Sequence, residues 1–254
     1  MRPAVPVRVF GGPTVLIEYA GLRLLTDPTF DAPGSYDLGT GLVLTKTAPS
    51  AITPDALGPV DAVLLSHDQH PDNLDGAGRA FLPGARVVLT TPSGAQHLAG
   101  ELGDRVVGLA PWTTHELRSP DGPTVTVTGL PALHGPEGCE EVTGEVIGFL
   151  LTAESQPTVY VSGDNASVDV VRTIAERVGP VDTAVIFAGA VRTPLFDGAL
   201  LTVDGQRAVE AAQVLGAAQV VGAHTDSWGH FTEDRGQLEA AFAAAGLGDR
   251  LQRD

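Results

Sequence analysis

Short apolar segments that end in a histidine or an aspartate are the feature that most limits how this chain can fold. Four such segments lead, in chain order, to His67, His134, Asp164 and His224. Apolar segments this short and rich in branched residues are typical of buried strands. Because α/β proteins gather ligands and catalytic groups in the loops at the carboxyl ends of strands, these four side chains are expected to meet at one site.

Further apolar patterns predict the remaining elements. Strands are predicted at residues 7–10, 14–19, 22–26, 62–65, 87–89, 124–130, 145–152, 158–162, 184–187 and 219–223. Helices are predicted at residues 73–81, 93–102, 167–178, 202–215 and 232–245, with Thr232 as the N-cap of the last one. One domain spanning residues 1–254 is expected. The Pro- and Gly-rich segment Asp31–Pro54 is predicted to be a loop that covers a site.

The stretch SHDQHPDNLD, residues 66–75, places two histidines and three carboxylates within ten residues. Neutral imidazole and carboxylate are ligand types that suit zinc, iron or manganese. Singly, such groups have structural explanations, because Asp72 and Asp75 can stabilise the first turn of their own helix. Asp164 can likewise cap the helix that begins near Ser167. The joint pattern favours a metal site.

Composition excludes several classes of protein. With a formal net charge of −16, the chain is expected to repel nucleic acid and anionic membrane surfaces. A single cysteine, Cys139, excludes an intramolecular disulfide and a cysteine-rich metal site. There is no run of about 18 apolar residues, and no phosphate loop or nucleophile elbow. We therefore expect a cytoplasmic protein with a small-molecule substrate and no nucleic-acid or membrane partner, and homo-oligomer formation stays open.

The order of these elements resembles the metallo-β-lactamase-fold hydrolase superfamily, whose members are α/β (α+β) proteins with a four-layered αββα sandwich. The first metal-binding motif of that superfamily is His-x-His-x-Asp-His, and separate His, Asp and His ligands follow it. The stretch GGPTVLIEYAGLRLLTDPTF is also similar to the opening of one branch, in which an Asp-Pro pair like Asp27-Pro28 supports the site. The resemblance runs from Val7 to His230.

The resemblance implies the ligand set His67, His70, Asp72, His134, Asp164 and His224. Asp164 would be the carboxylate that bridges two metals. Between His67 and His70 the chain has one residue more than the motif, so either Gln69 or His70 takes the place of the second histidine. His70 is preferred because imidazole binds these metals far better than a neutral amide. The implied cofactor is one or two divalent metal ions, with zinc favoured and iron or manganese as alternatives.

Two positions depart from the pattern of the superfamily. Asn73 occupies the place of the motif's last histidine, and Gly12 stands where that branch often has a histidine near its first strand. A second metal would then depend on Asp72, Asp164 and His224, with Asn73 as a weak oxygen ligand at best. We expect this position to bind metal less tightly, or to prefer a metal other than zinc.

A second histidine, His230, follows His224 by six residues in the stretch AHTDSWGHF. It is either a surface residue beside a helix or a pocket residue that acts as a proton donor, a substrate contact or a replacement ligand. With that second alternative, His230 is a predicted catalytic residue that protonates the leaving group. Asp72, if not fully engaged as a metal ligand, is the other predicted catalytic residue, because it could orient the attacking water or accept its proton. His97 and His115 are predicted to be surface residues.

Three functional hypotheses follow from these residues. The first is a metal-dependent hydrolase acting on a small ester, thioester, lactone or amide. The second is an iron-dependent redox enzyme on the same fold, and the third is a non-catalytic small-molecule binding protein with a decayed metal site. Five aromatic residues are either pocket or core: Phe30, Trp112, Phe187, Phe196 and Trp228.

Overall fold

The structure, a computed structural model, describes residues 4–39, 41–120 and 122–253, without the side chain of Leu195. Its strands are β1 (Val7–Val9), β2 (Val15–Tyr19), β3 (Leu22–Thr26), β4 (Gly34–Asp37), β5 (Val43–Lys46), β6 (Ala62–Leu64), β7 (Val87–Thr90), β8 (Val106–Gly108), β9 (Thr114–Leu117), β10 (Val125–Pro131), β11 (Ile147–Ala153), β12 (Val159–Val161), β13 (Thr183–Phe187) and β14 (Gln219–Ala223). Its α-helices are α1 (Pro54–Leu57), α2 (Gly76–Phe81), α3 (Pro92–Leu102), α4 (Glu140–Thr143), α5 (Val168–Val178), α6 (Gly205–Val214) and α7 (Arg235–Ala244). Short 3-10 turns lie at Leu82–Gly84, Gly103–Arg105 and Pro194–Phe196.

Two six-stranded sheets form the centre of the molecule. The first has the strand order β1-β2-β3-β6-β7-β8, and the second has the order β14-β13-β12-β11-β10-β9. In the first sheet β3, β6, β7 and β8 are parallel, and in the second β12, β13 and β14 are parallel. The carboxyl ends of these parallel strands lie at one edge of each sheet, which is where ligand-binding loops gather in α/β proteins.

Alternation along the strands builds the layers. In β2, Val15 and Ile17 face the second sheet and belong to the core between the sheets. The intervening Leu16 faces the opposite way and packs in a cluster with Leu98 and Leu102 of α3. Successive strand residues point to opposite faces, so a strand covered on both faces is apolar throughout. The first sheet is thus covered by helix on one face and by sheet on the other.

The second sheet is covered in the same way on its outer face. Tyr160 of β12 packs in a cluster that includes Ile174 of α5, Ala212 of α6 and Phe242 of α7. The layers are therefore helix, sheet, sheet and helix, and the predicted αββα sandwich is confirmed. Among the described residues, no helix has the length and apolar character that a membrane crossing requires.

Several predicted elements differ from the structure. The segment Asp31–Pro54, predicted as a loop, contains the antiparallel hairpin of β4 and β5 and the start of α1. The short strands β8 and β9 were not predicted. The last helix is capped by Asp234, whose carboxylate accepts the backbone N–H of Gln237, and not by Thr232. In turn, the backbone N–H of Asp234 donates to the side-chain oxygen Oε1 of Gln237, and this reciprocal pair fixes the start of the helix.

Candidate metal centre

The predicted ligands are brought together at the carboxyl ends of the parallel strands. His67 follows β6, Asp164 follows β12, and His224 follows β14, while His134 follows the antiparallel strand β10. All four side chains are buried. Two groups result, one formed by His67, His70 and His134 and the other by Asp72, Asp164 and His224. In each group the candidate ligand atoms lie within 4.8 Å of one another.

Three imidazoles converge in the first group. The Nε2 atom of His67 lies 2.9 Å from the Nδ1 atom of His70. His134 donates from Nδ1 to the backbone carbonyl of Leu201 at 2.8 Å, which leaves its Nε2 atom as the ring nitrogen without a proton. Neutral imidazole binds metals through such a lone pair. The ring centroids of His67 and His70 lie 5.4 and 5.2 Å from that of His134.

A buried relay fixes the tautomer of His67. Asp27 accepts hydrogen bonds from both the backbone N–H and the hydroxyl of Ser66, each at 2.8 Å. Since the Ser66 hydroxyl donates to Asp27, it accepts from the Nδ1–H of His67 at 2.9 Å. The Nε2 atom of His67 then carries no proton, and its lone pair faces His70 and the site. A carboxylate or hydroxyl behind a histidine is the usual means of orienting a metal ligand.

The second group is centred on His224 and two carboxylates. The Nδ1 atom of His224 lies 3.4 Å from Oδ1 of Asp164, and its Nε2 atom lies 3.4 Å from Oδ2 of Asp72. The other oxygen of Asp164, Oδ2, lies 3.8 Å from Nε2 of His134. Asp164 therefore lies between the two groups, as a bridging carboxylate would. Asn73 directs its amide N–H toward Oδ1 of Asp164 at 3.3 Å.

The first motif accommodates its extra residue because the side chain of Gln69 turns away from the imidazole group. A Cβ atom on Gly144 would lie 2.6 Å from Nε2 of Gln69, so the Gln69 side chain packs against the end of α4. His70, and not Gln69, belongs to the imidazole group. This arrangement favours His70 as the second histidine of the motif.

Burial and charge set the protonation of these groups. Burial, reinforced by the neighbouring histidines, lowers the pKa of His67 well below its usual value and that of His70 to about 4. Burial alone would lower the pKa of His224 too, but the carboxylates of Asp164 and Asp72 outweigh it and raise that pKa. For Asp72, the opposing effect of burial is outweighed by His224 and His230, which hold its pKa well below the usual value.

The candidate ligand atoms fit a metal ion for two reasons: they occur in sets of three, and several of them have no hydrogen-bond partner. Oδ2 of Asp164 and both ring nitrogens of His224 are buried without a hydrogen-bond partner in the described part of the chain. Buried polar atoms are rarely left unpaired, and one accepted reason is an ion at the site. Nitrogen and carboxylate oxygen donors in sets of three are typical of zinc, iron and manganese sites.

Local backbone strain accompanies the site. His224 has φ of +59° and Asp27 has φ of +30°, both in the left-handed region that L residues seldom adopt. Such a conformation costs about 1–3 kcal/mol and persists only where the surroundings enforce it. The backbone N–H of His224 donates to the carbonyl of Gly12 at 2.7 Å, which ties this strained position to the turn after β1.

His230 lies at the site. Its Nε2 atom is 3.0 Å from Oδ2 of Asp72, and its side chain is 17% exposed. The side chain lines the same cavity as His70 and His134. The alternative of a surface histidine beside a helix is therefore not what the structure has. In contrast, the side chain of His97 is 54% exposed and pairs with Asp68.

A cavity of about 330 Å³ opens onto the candidate metal centre. Its apolar walls are formed by Leu38, Leu42, Leu44, Val142, Val191, Phe196 and Leu201. Of the five aromatic residues considered from the sequence, only Phe196 lines it. Phe187 lies in the core between the sheets, and Trp228 is buried. Phe30 and Trp112 pack against the helix-side clusters.

Some residues that shape the site were not singled out from the sequence. Lys46, the only lysine, is 1% exposed and binds Asp75 at 2.8 Å, which ties the β4–β5 hairpin to the start of α2. Arg192 is the cationic residue of the cavity wall. The resemblance already implied that Asp27 supports the site, but no sequence pattern shows that Ser66 connects Asp27 to His67. For Lys46, the one available signal was that it is the single lysine in a very acidic chain.

Two sheets between helical layers, with histidines and aspartates gathered at the strand ends, define the metallo-β-lactamase fold class. Residues 22–225 match the family described as the Beta-lactamase superfamily domain, and the chain belongs to that family. The resemblance to the metallo-β-lactamase-fold hydrolases is thus confirmed.

Relatives and solved structures agree with this membership. A metal-dependent hydrolase of Pyrococcus horikoshii is 25% identical over 215 residues, which cover 84% of this chain and 88% of that protein. The isothiocyanate hydrolase from Delia radicum gut bacteria superposes with a TM-score of 0.77 at 20% identity, covering 96% of this chain and 94% of that one. A diiron β-hydroxylase from Streptomyces venezuelae superposes with a TM-score of 0.67 at 20% identity, covering 98% of this chain and 50% of that one. These two likenesses show a shared fold.

Proposed function

We propose that this protein is a metal-dependent hydrolase of a small ester, thioester, lactone or amide. His67, His70 and His134 would hold one ion, and Asp72, Asp164 and His224 a second one. The observation that carries the proposal is the convergence of these two groups, with Asp164 between them, at a cavity of about 330 Å³. A bound divalent metal supplies an acidified water and polarises the carbonyl oxygen under attack.

Asp72 would orient the attacking water. Its pKa is held well below the usual value, because the imidazoles of His224 and His230 outweigh the effect of burial. A carboxylate with such a pKa stays ionised and accepts hydrogen bonds, so it directs the water rather than storing its proton. Asp72 also lines the cavity, which puts this carboxylate within reach of a substrate.

His230 would protonate the leaving group. Its Nε2 atom contacts Asp72 at 3.0 Å, and its side chain lines the cavity. Its other ring nitrogen, Nδ1, is buried and has no hydrogen-bond partner among the described residues. A histidine that touches both the carboxylate and the substrate space can pass a proton to a departing oxygen, sulfur or nitrogen atom.

The donor set of the second group motivates one further candidate. Two carboxylates and a single histidine form an oxygen-rich set that suits iron or manganese better than an all-histidine site does. The neighbour from Streptomyces venezuelae is named as a diiron β-hydroxylase. An iron-dependent redox activity would show as an absorbance of the aerobically purified protein that disappears on iron removal. A colourless protein that turns over esters with zinc excludes this candidate.

The test of the hydrolase proposal combines metal removal with a substrate panel. Protein stripped with a chelator and reloaded with zinc, iron or manganese is assayed on acyl esters, thioesters, lactones and anilides. Phenethyl isothiocyanate joins the panel because a structural neighbour is named as an isothiocyanate hydrolase.

We expect turnover of at least one carbonyl compound that is lost on stripping and restored on reloading. His134→Ala should lose it, whereas His115→Ala, altered in β9 and in neither ligand group, should not. Turnover that survives stripping would contradict the proposal.

A further inference from the structure

Exposed apolar side chains are concentrated at one place on this molecule. Among the described residues, the exposed large hydrophobic side chains are Leu42, Val43 and Val142, with exposed fractions of 36%, 50% and 58%. Leu42 and Val142 line the cavity that also contains His70 and Asp72. Exposed apolar groups that cluster beside a cavity mark a binding surface. We therefore take the rim of the cavity, formed by Leu42 and Val142, as a candidate surface for binding.

The hairpin register explains which side chains face the cavity. Leu42 directly precedes β5, and its carbonyl accepts from the backbone N–H of Leu38, which extends the pairing of the hairpin by one position. Because side chains alternate along an extended segment, Leu42 and Leu44 point one way and Val43 points the other. Leu42 and Leu44 line the cavity, whereas Val43 does not. The hairpin thus presents a leucine face to the candidate metal centre and leaves Val43 on the outside.

Interactions at the base of the hairpin hold this wall in place. Lys46 forms the buried ion pair with Asp75, and the ring of Tyr36 packs against Trp228 with the ring centroids 5.4 Å apart. Lys46 also pairs with Trp228 through an isolated antiparallel bridge. The leucines are therefore carried by a hairpin anchored to α2 and to the segment after β14, rather than by a loose loop.

We propose that the wall formed by Leu38, Leu42, Leu44, Val142 and Phe196 is a subsite for an uncharged aliphatic acyl chain of the substrate. This assignment rests on the proposed hydrolase function and names its substrate class. The apolar wall and the candidate ligands line one continuous cavity, so the chain of a substrate and its reacting carbonyl occupy the same space. A cavity of about 330 Å³ also limits the occupant to a small molecule.

The cavity volume sets the length of chain that fits. At about 30 Å³ for each water-sized group, the space holds about ten such groups in total. Once the reacting carbonyl is placed, a chain of about six carbons remains. In the reaction, water adds its oxygen to the acyl carbon, the bond to the leaving oxygen or sulfur breaks, and that atom takes the remaining proton. No co-reactant is needed.

Chain length gives a quantitative expectation. Burying one methylene group is worth about 0.8 kcal/mol, which corresponds to a factor of about four in kcat/KM. From an acetyl to a hexanoyl ester, four methylenes should raise kcat/KM by about 100-fold or more. Beyond the length that fills the cavity, the increase should level off.

The experiment compares p-nitrophenyl acetate and p-nitrophenyl hexanoate with the metal-loaded protein and three variants. Leu42→Ser and Val142→Ser should each lower the hexanoate-to-acetate ratio of kcat/KM by about fivefold to tenfold, because each replaces apolar wall with a polar group. Val43→Ser is the matched control, since Val43 is as exposed as these residues but faces away from the cavity. It should leave the ratio unchanged.

Each outcome decides the proposal. A ratio near one in the wild-type protein, with turnover that depends on metal, overturns the acyl-chain subsite while leaving the hydrolase function intact. A ratio that changes with protein concentration shows that a second copy covers the rim, and also overturns the acyl-chain subsite.

If no ester is turned over, calorimetric titration with acetohydroxamate and octanohydroxamate tests the acyl-chain subsite separately from the hydrolase function. Tighter binding of octanohydroxamate, lost in Leu42→Ser, supports the subsite although the hydrolase function fails, and equal binding of both overturns it.

Discussion

Individual side chains determine the metal affinity that we expect at each candidate position. The first position has three imidazoles whose ring nitrogens converge, and hydrogen bonds from His67 through Ser66 to Asp27 hold one of these rings in orientation. The second position lacks the motif's last histidine, because Asn73 occupies its place. Asn73 donates its amide N–H toward Asp164 and so offers no nitrogen ligand. The two positions are therefore expected to differ in affinity.

The relay behind His67 gives a prediction at this scale. Ser66→Ala removes the hydroxyl that accepts the Nδ1–H of His67, so the imidazole loses its fixed tautomer. Loss of such a supporting contact typically costs 10–100-fold in metal affinity, and we expect about that weakening at the first position. Chelator competition measures it, with Ser35→Ala, altered at an exposed residue of β4, as the control. Equal affinities for Ser66→Ala and wild type would show that the relay does not support the site.

Asn73 gives a second prediction. Asn73→His restores a nitrogen donor beside Asp72, Asp164 and His224, and should tighten the second metal position by about tenfold or more. Elemental analysis at limiting metal should then approach two ions per chain. Since Asn73 is fully buried, a larger ring costs about 1–3 kcal/mol of stability, and thermal unfolding of the variant checks that the fold is kept. A folded variant with unchanged stoichiometry would contradict this reading of Asn73.

The two groups should also respond differently to pH. His70 has a pKa of about 4 and that of His67 is lowered as well, so both imidazoles are neutral and ready to bind metal from about pH 5.5 upward. The pKa of His224 is raised by the carboxylates of Asp164 and Asp72, so at pH values below that pKa metal entering the second group must displace a proton. As pH falls through and below that pKa, affinity at the second position should drop by about tenfold per unit. Calorimetry in buffers of different ionisation enthalpy counts the proton released, and two ions with the same pH response would contradict the assignment.

At the scale of elements, the β4–β5 hairpin and α2 form the frame around the site. Asp75 caps α2 and accepts from the backbone N–H groups of Phe30, Asp31 and Gly78 as well as from Lys46. Four donors on one buried carboxylate connect the hairpin, the segment after β3 and the helix that follows the first metal motif. This connection explains why a segment predicted as a loop is ordered beside the cavity.

Removing the lysine of this frame should destabilise the fold. Lys46→Met leaves the buried carboxylate of Asp75 without its counter-ion, which typically costs about 3–5 kcal/mol. Because three backbone donors remain on Asp75, we expect the lower end, about 3 kcal/mol. Arg86→Met, which breaks the exposed pair between Arg86 and Asp61, is the matched control and should cost less than about 1 kcal/mol. Denaturant unfolding measures both, and equal losses would show that Lys46 contributes only as a surface charge would.

The central strands could be predicted from the sequence because local pattern and burial agree there. Residues 22–26 and 219–223 were predicted with the bounds that the structure has, since both are short apolar runs between turn residues. The β4–β5 hairpin could not be, because Gly34–Asp37 is polar and depends on its pairing partner and on Trp228. For the last helix, Thr232 was predicted as the cap, but the structure has Asp234 there, because the side chain of Gln237 at the third helical position completes a reciprocal pair with Asp234.

At the scale of the whole molecule, topology brings distant sequence positions to one edge. His67 and His224 are separated by most of the chain and belong to different sheets, yet Asp72 contacts His224 at 3.4 Å. The strand–ligand pattern and the superfamily resemblance predicted this meeting. They could not show that Gln69 turns toward Gly144, that His230 contacts Asp72, or that apolar side chains line the approach. Those features depend on packing between segments that no local pattern relates.

The most direct measurement is a crystal structure of the purified protein with anomalous data at the zinc, iron and manganese edges. We expect a peak about 2.0–2.1 Å from Nε2 of His67, Nδ1 of His70 and Nε2 of His134. We also expect a weaker peak among Asp72, Asp164 and His224. The absence of a peak at the three histidines in protein supplied with these metals, or a peak coordinated by Gln69 in place of His70, would overturn the proposed metal centre.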